Sequence, residues 1–220
     1  MIERRTVTTL AELRAAYDAL FERVEFGEKA ALYRLALGLV EATPGDVVLD
    51  VGCGAGQLLA CARDLGLRGV GVDISGRALA RARARGLPDL VLAQGERLPL
   101  RDASFRRVLC LGNLEHFLDP AAGARELARV LAPDGRCAVL LPNAYYSGDL
   151  WRVIRTGRGP DHHQAIDRFA TCEEWRDLLE AAGLRVLRVA RWDKGKLWKR
   201  VFPFHLAYHF LFLASRAEGA

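Results

Sequence analysis

The residues most able to do chemistry begin in the run Val47-Val48-Leu49-Asp50-Val51-Gly52-Cys53-Gly54-Ala55-Gly56. An apolar stretch leads into glycines at alternate positions, and a helix-forming stretch follows. Glycines there permit a tight turn and let a ligand approach the backbone where a Cβ would clash. A ligand-free βα turn is the plain alternative, and the motif's place between a strand and a helix in the first unit of a βαβ array argues against it. A dinucleotide-binding turn would carry G-x-G-x-x-G, whose third glycine brings the helix to the pyrophosphate. Here Gln57 stands at that position, and no P-loop lysine follows. Asp50, ahead of the first glycine, would oppose a pyrophosphate and suit a cation. Asp73 closes the next strand, twenty-three residues on, where a carboxylate can accept both ribose hydroxyls. These groups imply a ligand with a ribose, a positive or zwitterionic portion and no phosphate. S-adenosylmethionine (SAM) has all three.

These groups need a scaffold, and the hydrophobic pattern supplies one. Thr9-x-x-Glu12 is a capping box ahead of an apolar stripe at Leu10, Leu13, Tyr17, Leu20, Phe21 and Val24, and a second helix is expected over residues 28–42. Short β-rich runs then alternate with helical stretches. Strands are expected at residues 47–51, 69–73, 90–93, 107–111 and 137–141, with helices over 57–65, 75–85 and 121–131. Such alternation means right-handed crossovers and a parallel sheet covered on both faces. Thr171-x-x-Glu174 caps a last helix, and two apolar runs follow, 184–190 and 204–213, joined by a polar link that reads as an antiparallel turn at the sheet edge. The expected fold is α/β: a Rossmann-like, seven-stranded, mostly parallel sheet with an antiparallel last strand and helices on both faces.

Composition bounds the rest. The 220 residues are 51% hydrophobic and 27% charged, as suits one domain with a substantial core. The net charge of +5 is not spread evenly: residues 1–150 hold 19 basic and 19 acidic side chains, and residues 151–200 hold 12 and 7. Within that region Arg191-Trp192-Asp193-Lys194-Gly195-Lys196-Leu197-Trp198-Lys199-Arg200 is a basic connector. It could meet an anionic substrate, an acidic carrier or a membrane surface, or guard a sheet edge with lysines. Cys53, Cys61, Cys110, Cys137 and Cys172 form no C-x-x-C pair, which argues against a disulfide framework or zinc cluster and suits a reducing cytosol. The N-terminus lacks the apolar run of a secretion signal. The longest apolar run, residues 201–214, is broken by Pro203, His205 and His209, so no transmembrane segment is expected. A cytoplasmic chain follows as the expectation.

Beyond these inferences, Val48-Leu49-Asp50-Val51-Gly52-Cys53-Gly54-Ala55-Gly56 resembles the glycine-rich motif of class I SAM-dependent methyltransferases, and Val70-Gly71-Val72-Asp73-Ile74-Ser75 resembles their second-strand motif. Gln94-Gly95-Glu96-Arg97-Leu98-Pro99-Leu100 and Asp102-Ala103-Ser104-Phe105 resemble the branch that includes the ubiquinone and menaquinone biosynthesis methyltransferases. Leu114-Glu115-His116-Phe117-Leu118-Asp119-Pro120 and Arg129-Val130-Leu131-Ala132-Pro133-Asp134-Gly135 fit the next two blocks, so the resemblance covers residues 45–142 in order. It implies a SAM-binding set of Asp50, Gly52, Cys53, Gly54, Gly56, Asp73, Ile74, Gln94, Gly95, Glu96 and Leu111. Within it Asp50, Gly52 and Gly54 face the methionine portion, and Asp73 faces the ribose. The chain departs from the family pattern at Gln94, where that branch usually has an Asp near the adenine amine, at Arg106 and at Asp134. The implied organisation is a single domain over residues 1–220: N-terminal helices covering the site (1–44), a cofactor core (45–142), a substrate lid (143–170), and a C-terminal helix with antiparallel strands (171–220).

Methyl transfer from a sulfonium is an in-line displacement that needs alignment and a dry pocket. A hydroxyl acceptor also gains from a general base, about 10²–10⁴-fold. The candidates for that base are His116, His162 and His163, each weighed against a packing or polar-loop role. Adjacent histidines without a third ligand make no zinc site, and no metal is expected. For the acceptor, Asn143, Tyr145, Tyr146 and Trp151 offer walls and polar handles, and Arg152, Arg155 and Arg158, spaced by three, could clamp an anion or lie on a solvated helix face. A small-molecule acceptor is favoured over nucleic acid, because Leu111-Gly112-Asn113-Leu114 stands where amine-methylating nucleic-acid enzymes often carry an N-P-P-Y-like tetrapeptide. An RNA or protein methyltransferase, a non-catalytic SAM-binding protein and a nicotinamide- or flavin-dependent oxidoreductase are the alternatives.

Overall fold

The apolar run at Val47–Val51 (β2) forms the middle of the sheet because four of its five residues are buried, as a central parallel strand requires. The computed structural model describes residues 1–24, 30–158, 164–194 and 201–217. Ahead of β2 come β1 (Ile2–Arg5), α1 (Leu10–Arg23) and α2 (Ala30–Leu39). After it follow α3 (Gln57–Asp64), β3 (Arg68–Asp73), α4 (Gly76–Ala84), β4 (Leu90–Leu92), β5 (Phe105–Leu111), α5 (Pro120–Val130) and β6 (Leu131–Pro142). The chain closes with α6 (Ser147–Thr156), β7 (Ile166–Phe169), α7 (Cys172–Ala181), β8 (Leu184–Trp192) and β9 (His209–Arg216).

The main sheet has seven strands in the order β4-β3-β2-β5-β6-β9-β8. β2, β3, β4, β5 and β6 pair in parallel, and β9 inserts antiparallel between β6 and β8. Strand order reverses between β2 and β5, which opens a crevice at their C-terminal ends. One face of the sheet packs on α5 and α7 through Leu127, Trp175 and Leu179, and the other on α2, α3 and α4 through Leu32, Leu59 and Leu79. The Trp175 indole, fully buried, donates to the Pro142 carbonyl at 2.8 Å and so fixes the end of β6, where the crevice begins.

Three features depart from the sequence expectations. β9 begins at His209 rather than at Phe204, because Phe204–Leu206 forms a 3-10 turn behind Pro203. The Asn143 amide donates to the carbonyls of His205 (2.7 Å) and Ala207 (2.8 Å), holding that part of the apolar run out of the ladder. Next, β1 and β7 pair antiparallel in a separate two-stranded sheet, from Ile2↔Phe169 to Arg5↔Ile166. Ile2-Glu3-Arg4-Arg5 is exposed throughout and has no alternation to betray a strand. Finally, the segment expected as a lid contains the helix α6, which ends where Gly157 takes a left-handed φ of 67°. Helix α2 is described from Ala30 to Leu39, so residues 28–29 of the expected helix lie outside the described residues. The same holds for residues 195–200 of the basic connector. Arg106 and Asp134, two departures from the family pattern, ion-pair with each other on the exposed rim of β5 and β6. No helix among the described residues is long and apolar enough to cross a membrane.

Candidate functional site

The end of β2 is shaped by its neighbours. Gly52, Gly54 and Gly56 take φ values of 79°, 53° and 78°, a region that suits glycine. The N–H groups of Gly52 and Cys53 both donate to the Val72 carbonyl, at 2.8 and 3.0 Å, which folds the turn against the end of β3. At Gly52 a Cβ would stand 2.3 Å from Asn113 Cγ, and at Gly56 one would stand 2.3 Å from Leu87 Cδ1. Gly56 therefore serves the packing of α3 near α4, and Gly52 makes room for the Asn113 side chain, which itself lines the crevice.

That crevice is a cleft of about 660 Å³. Asp50, Gly52, Cys53, Gly54, Asp73, Ile74, Gly95, Glu96 and Leu111 line it, and Gly56 and Gln94 do not. Gln94 turns aside between Ala93 and Gly95, both of which contribute to the wall. The Asp73 carboxylate accepts from Gly54 N through one oxygen and Ser75 N through the other, each at 2.8 Å. Burial pushes its pKa up to about 6, against the pull of these backbone donors. Asp50 is more extreme: burial, with Asp73 nearby, raises it to about 8. Two buried carboxyls at the glycine turn repel a phosphate and favour a cation, which would restore the ionised Asp50.

Helix α1 covers this end. Its Asp18 accepts from Ser75 Oγ (2.6 Å) and from Arg77 N (3.2 Å), pinning α1 to the N-terminus of α4, and its Leu13, Tyr17 and Phe21 line the cleft. The Tyr17 hydroxyl donates to Gln164 Oε1 at 2.8 Å, joining the cover to the segment before β7.

Beyond the glycine turn the wall becomes aromatic and titratable. His116 sits in the 3-10 turn Leu114–His116 just after β5, with Nδ1 2.5 Å from the Ile166 carbonyl. A carbonyl only accepts, so Nδ1 carries the proton and Nε2 keeps its lone pair in the neutral ring. Burial lowers the His116 pKa, which favours that neutral form. Nε2 lies 3.6 Å from Glu115 Oε1, and Asp167 Oδ1 lies 3.6 Å from Nδ1. Burial also raises Glu115 to about 8, and its Oε2 has no hydrogen-bond partner among the described residues. His209, held neutral by a burial-driven fall of its pKa to about 3, likewise leaves Nδ1 without a partner. Both residues line the cleft.

The turn that carries Glu115 and His116 is strapped from behind. Arg168 on β7, 1% exposed, donates to the carbonyls of Glu115 (3.0 Å), Phe117 and Leu118 (3.2 Å), and its Nε meets Glu3 Oε2 of β1 at 2.7 Å. The small β1–β7 sheet thus holds the loop after β5.

Of the residues expected to meet the acceptor, Asn143 and Tyr146 line the cleft. Asn143 is also a brace, its Oδ1 accepting from Tyr145 N at 3.0 Å. The Tyr146 ring stands edge-on to Tyr208 at 4.8 Å. Tyr145, Trp151, Arg152 and Arg155 stand outside the cleft wall, Trp151 being 63% exposed. The chain turns away there because α6 directs its first turn, not its middle, at the cavity. His162 and His163 lie outside the described residues. No group of three His, Cys, Asp or Glu among the described residues is placed to hold a metal. Sequence reasoning missed Gln164, Asp167, Arg168, Tyr208 and His209 as wall residues, and it read Tyr17 only as part of an apolar stripe. Only the short apolar flanks of β7 could have hinted at the first three.

Comparison with known proteins agrees with this geometry. Residues 49–139 match the family model of the methyltransferase domain. The chain is 39% identical over 108 residues to methyltransferase GfsG of Streptomyces halstedii, covering 46% of this chain and 39% of that one. It is 34% identical over 166 residues to the 27-O-demethylrifamycin SV methyltransferase of Amycolatopsis mediterranei, covering 69% and 58% respectively. The matched stretches thus span about half the length of these curated relatives. Among solved structures, the 1,6-didemethyltoxoflavin-N1-methyltransferase of Burkholderia thailandensis, with 1,6-didemethyltoxoflavin and S-adenosylhomocysteine bound, superposes with a TM-score of 0.68 at 21% identity, over 98% of this chain and 93% of that one. At that identity the likeness speaks to the fold.

Proposed function

We propose that this chain, which belongs to the class I SAM-dependent methyltransferases, binds SAM at the β2–β3 end of the cleft and methylates a small-molecule acceptor at the other end. The observation that carries this reading is the pairing of Asp50 and Asp73, two buried carboxyls beside the glycine turn that lines the cleft. SAM, when bound, supplies an electrophilic methyl group and departs as S-adenosylhomocysteine. Asp73 accepts from the ribose hydroxyls, Asp50 opposes the positive charge of the methionine portion, and the turn at Gly52 and Gly54 lets that portion lie against backbone. Leu13, Phe21 and Tyr33 exclude water from this end.

At the far end, His116 Nε2 takes the acceptor proton when the acceptor is a hydroxyl, its lone pair being presented by the Nδ1–H bond to Ile166. His162 and His163 stand as further candidates on sequence alone. The acceptor is bounded by Tyr17, Tyr146, Phe169, Tyr208 and His209, a largely aromatic wall fit for a planar or extended small molecule. The names of the rifamycin, phytyl-naphthoquinone and ubiquinone methyltransferases among the relatives support that substrate class. The division into cover (1–44), cofactor core (45–142), acceptor segment (143–170) and closing strands (171–220) follows from the same reading. Five unpaired thiols support a place in the cytoplasm.

The electrostatics give this reading a pH test. With its pKa near 8 in the folded chain, Asp50 is protonated at neutral pH until a cation binds. Binding SAM then releases a proton, and the dissociation constant should fall as pH rises from 6.5 to 8, by up to about tenfold per unit, and level off above. In Asp50→Asn the constant should be weaker and flat with pH; a wild-type profile equally flat would remove Asp50 from the cofactor site. The ligand-free chain should show the opposite trend. Asp50, Asp73 and Glu115, raised to about 8, 6 and 8, keep protons that the unfolded chain releases near pH 4. Their contribution is full below about pH 4 and is lost as pH rises to about 8. Thermal unfolding at pH 6 and pH 8 checks the sign: the lower pH should give the higher midpoint.

A further inference from the structure

Helix α6 is amphipathic with the usual orientation reversed. Its first turn, through Tyr146 and Asp149, belongs to the cleft wall, and Arg152 is half-buried. Its large apolar side chains Leu150, Trp151, Val153 and Ile154 all face out, Trp151 and Ile154 at 63% and 76% exposure. At 100° per residue these four form one stripe on the helix, with Arg155 next to Trp151 along its border. Tyr145, just ahead of the helix, is exposed as well. Val201, Phe202 and Phe204 are exposed as well, in the segment that Asn143 and the Tyr146–Tyr208 ring contact hold near the start of α6. An exposed apolar stripe such as the one on α6 marks a binding surface.

Charge decides the occupant. The basic side chains beside this stripe are the exposed Arg155 and Arg158, while Asp149 and Lys194 belong to the cleft wall and half-buried Arg152 lies on the opposite side of the helix. A second copy would bring arginine against arginine, and like charges across an interface cost affinity. An apolar stripe bordered by arginines instead matches a bilayer whose surface is anionic, the apolar groups entering the acyl boundary and the guanidinium groups meeting phosphates. We propose that α6, through the stripe of Leu150, Trp151, Val153 and Ile154 and the arginines beside it, docks this chain onto anionic lipid surfaces. The docking stands apart from the methyl-transfer reading.

The test is co-sedimentation of the whole chain with vesicles of phosphatidylcholine alone or with phosphatidylglycerol added, at 0.1 M salt. The chain should pellet with the anionic vesicles roughly tenfold or more better than with the neutral ones. Trp151→Ser with Ile154→Ser should abolish pelleting, and Arg155→Glu with Arg158→Glu should reduce it by a similar factor. S-adenosylhomocysteine affinity and melting temperature near wild type show that each variant is folded. Three results overturn the proposal: no pelleting with either vesicle, equal pelleting with both, or variants that pellet like wild type. Light scattering covers the remaining occupant: a dimer that Ile154→Ser converts to a monomer makes the stripe a contact between copies and likewise overturns it.

Discussion

Replacing Asp73 by alanine is expected to raise the dissociation constant for S-adenosylhomocysteine about 100-fold. Two effects add. The ribose loses its charged acceptor, and hydrogen bonds to charged groups are worth about 1.5–3 kcal/mol each. The N–H groups of Gly54 and Ser75, both bonded to that carboxylate at 2.8 Å, also lose their acceptor, so the glycine turn loses its tie to β3. Relief of Asp50 works the other way, because the charge of Asp73 is one reason its pKa is high. That relief is the smaller effect, burial being the larger cause. Asp73→Asn keeps one acceptor oxygen and should lose less. Calorimetric titration of the three proteins decides the matter: an alanine variant within about threefold of wild type would remove Asp73 from the ribose.

The second large effect is expected at Arg168, far from any residue the glycine motif would single out. Arg168→Ala strips the hydrogen-bond donor from three loop carbonyls and leaves Glu3 without its buried partner. Breaking a buried charged network costs about 3–5 kcal/mol, and the lower end applies because Glu3 is itself 40% exposed and can be rehydrated. For a chain of this size that is a fall of roughly 6–12 °C in melting temperature. The loss should be selective. Asp50, Asp73 and the glycine turn belong to other strands, so S-adenosylhomocysteine should bind within about threefold of wild type at temperatures below melting. Transfer to a hydroxyl acceptor should fall much further, because the turn holding His116 is released. Equal losses in cofactor binding and transfer would show that the β1–β7 strap supports the whole cleft rather than its acceptor end.

Much of this architecture was legible because it is written locally. The β2 run, the alternating glycines, Asp73 at a strand end and the Thr9/Glu12 and Thr171/Glu174 capping boxes each announce themselves within a few residues, and each took the expected form. What escaped notice depends on partners distant in sequence. Ile2-Glu3-Arg4-Arg5 becomes a strand only because Ile166–Phe169 lies beside it, and Arg168 is tolerated inside only because the Glu115–Leu118 loop offers it carbonyls. The residues 204–208 look like strand by composition, yet Asn143 holds their carbonyls and keeps them off the sheet. Helix α6 shows the same limit. The periodicity of Leu150, Trp151, Val153 and Ile154 marks one apolar face, but burial of that face is the usual outcome, and only the fold shows it turned to solvent.

Thermal unfolding with S-adenosylhomocysteine and, separately, with NADH tests the central claim most directly. At about 100 times its dissociation constant a ligand that binds only the folded chain adds about 2.7 kcal/mol, or roughly 5–10 °C for a chain of this size. That rise is expected with S-adenosylhomocysteine and none with NADH. Stabilisation by NADH with no response to S-adenosylhomocysteine would contradict the claim.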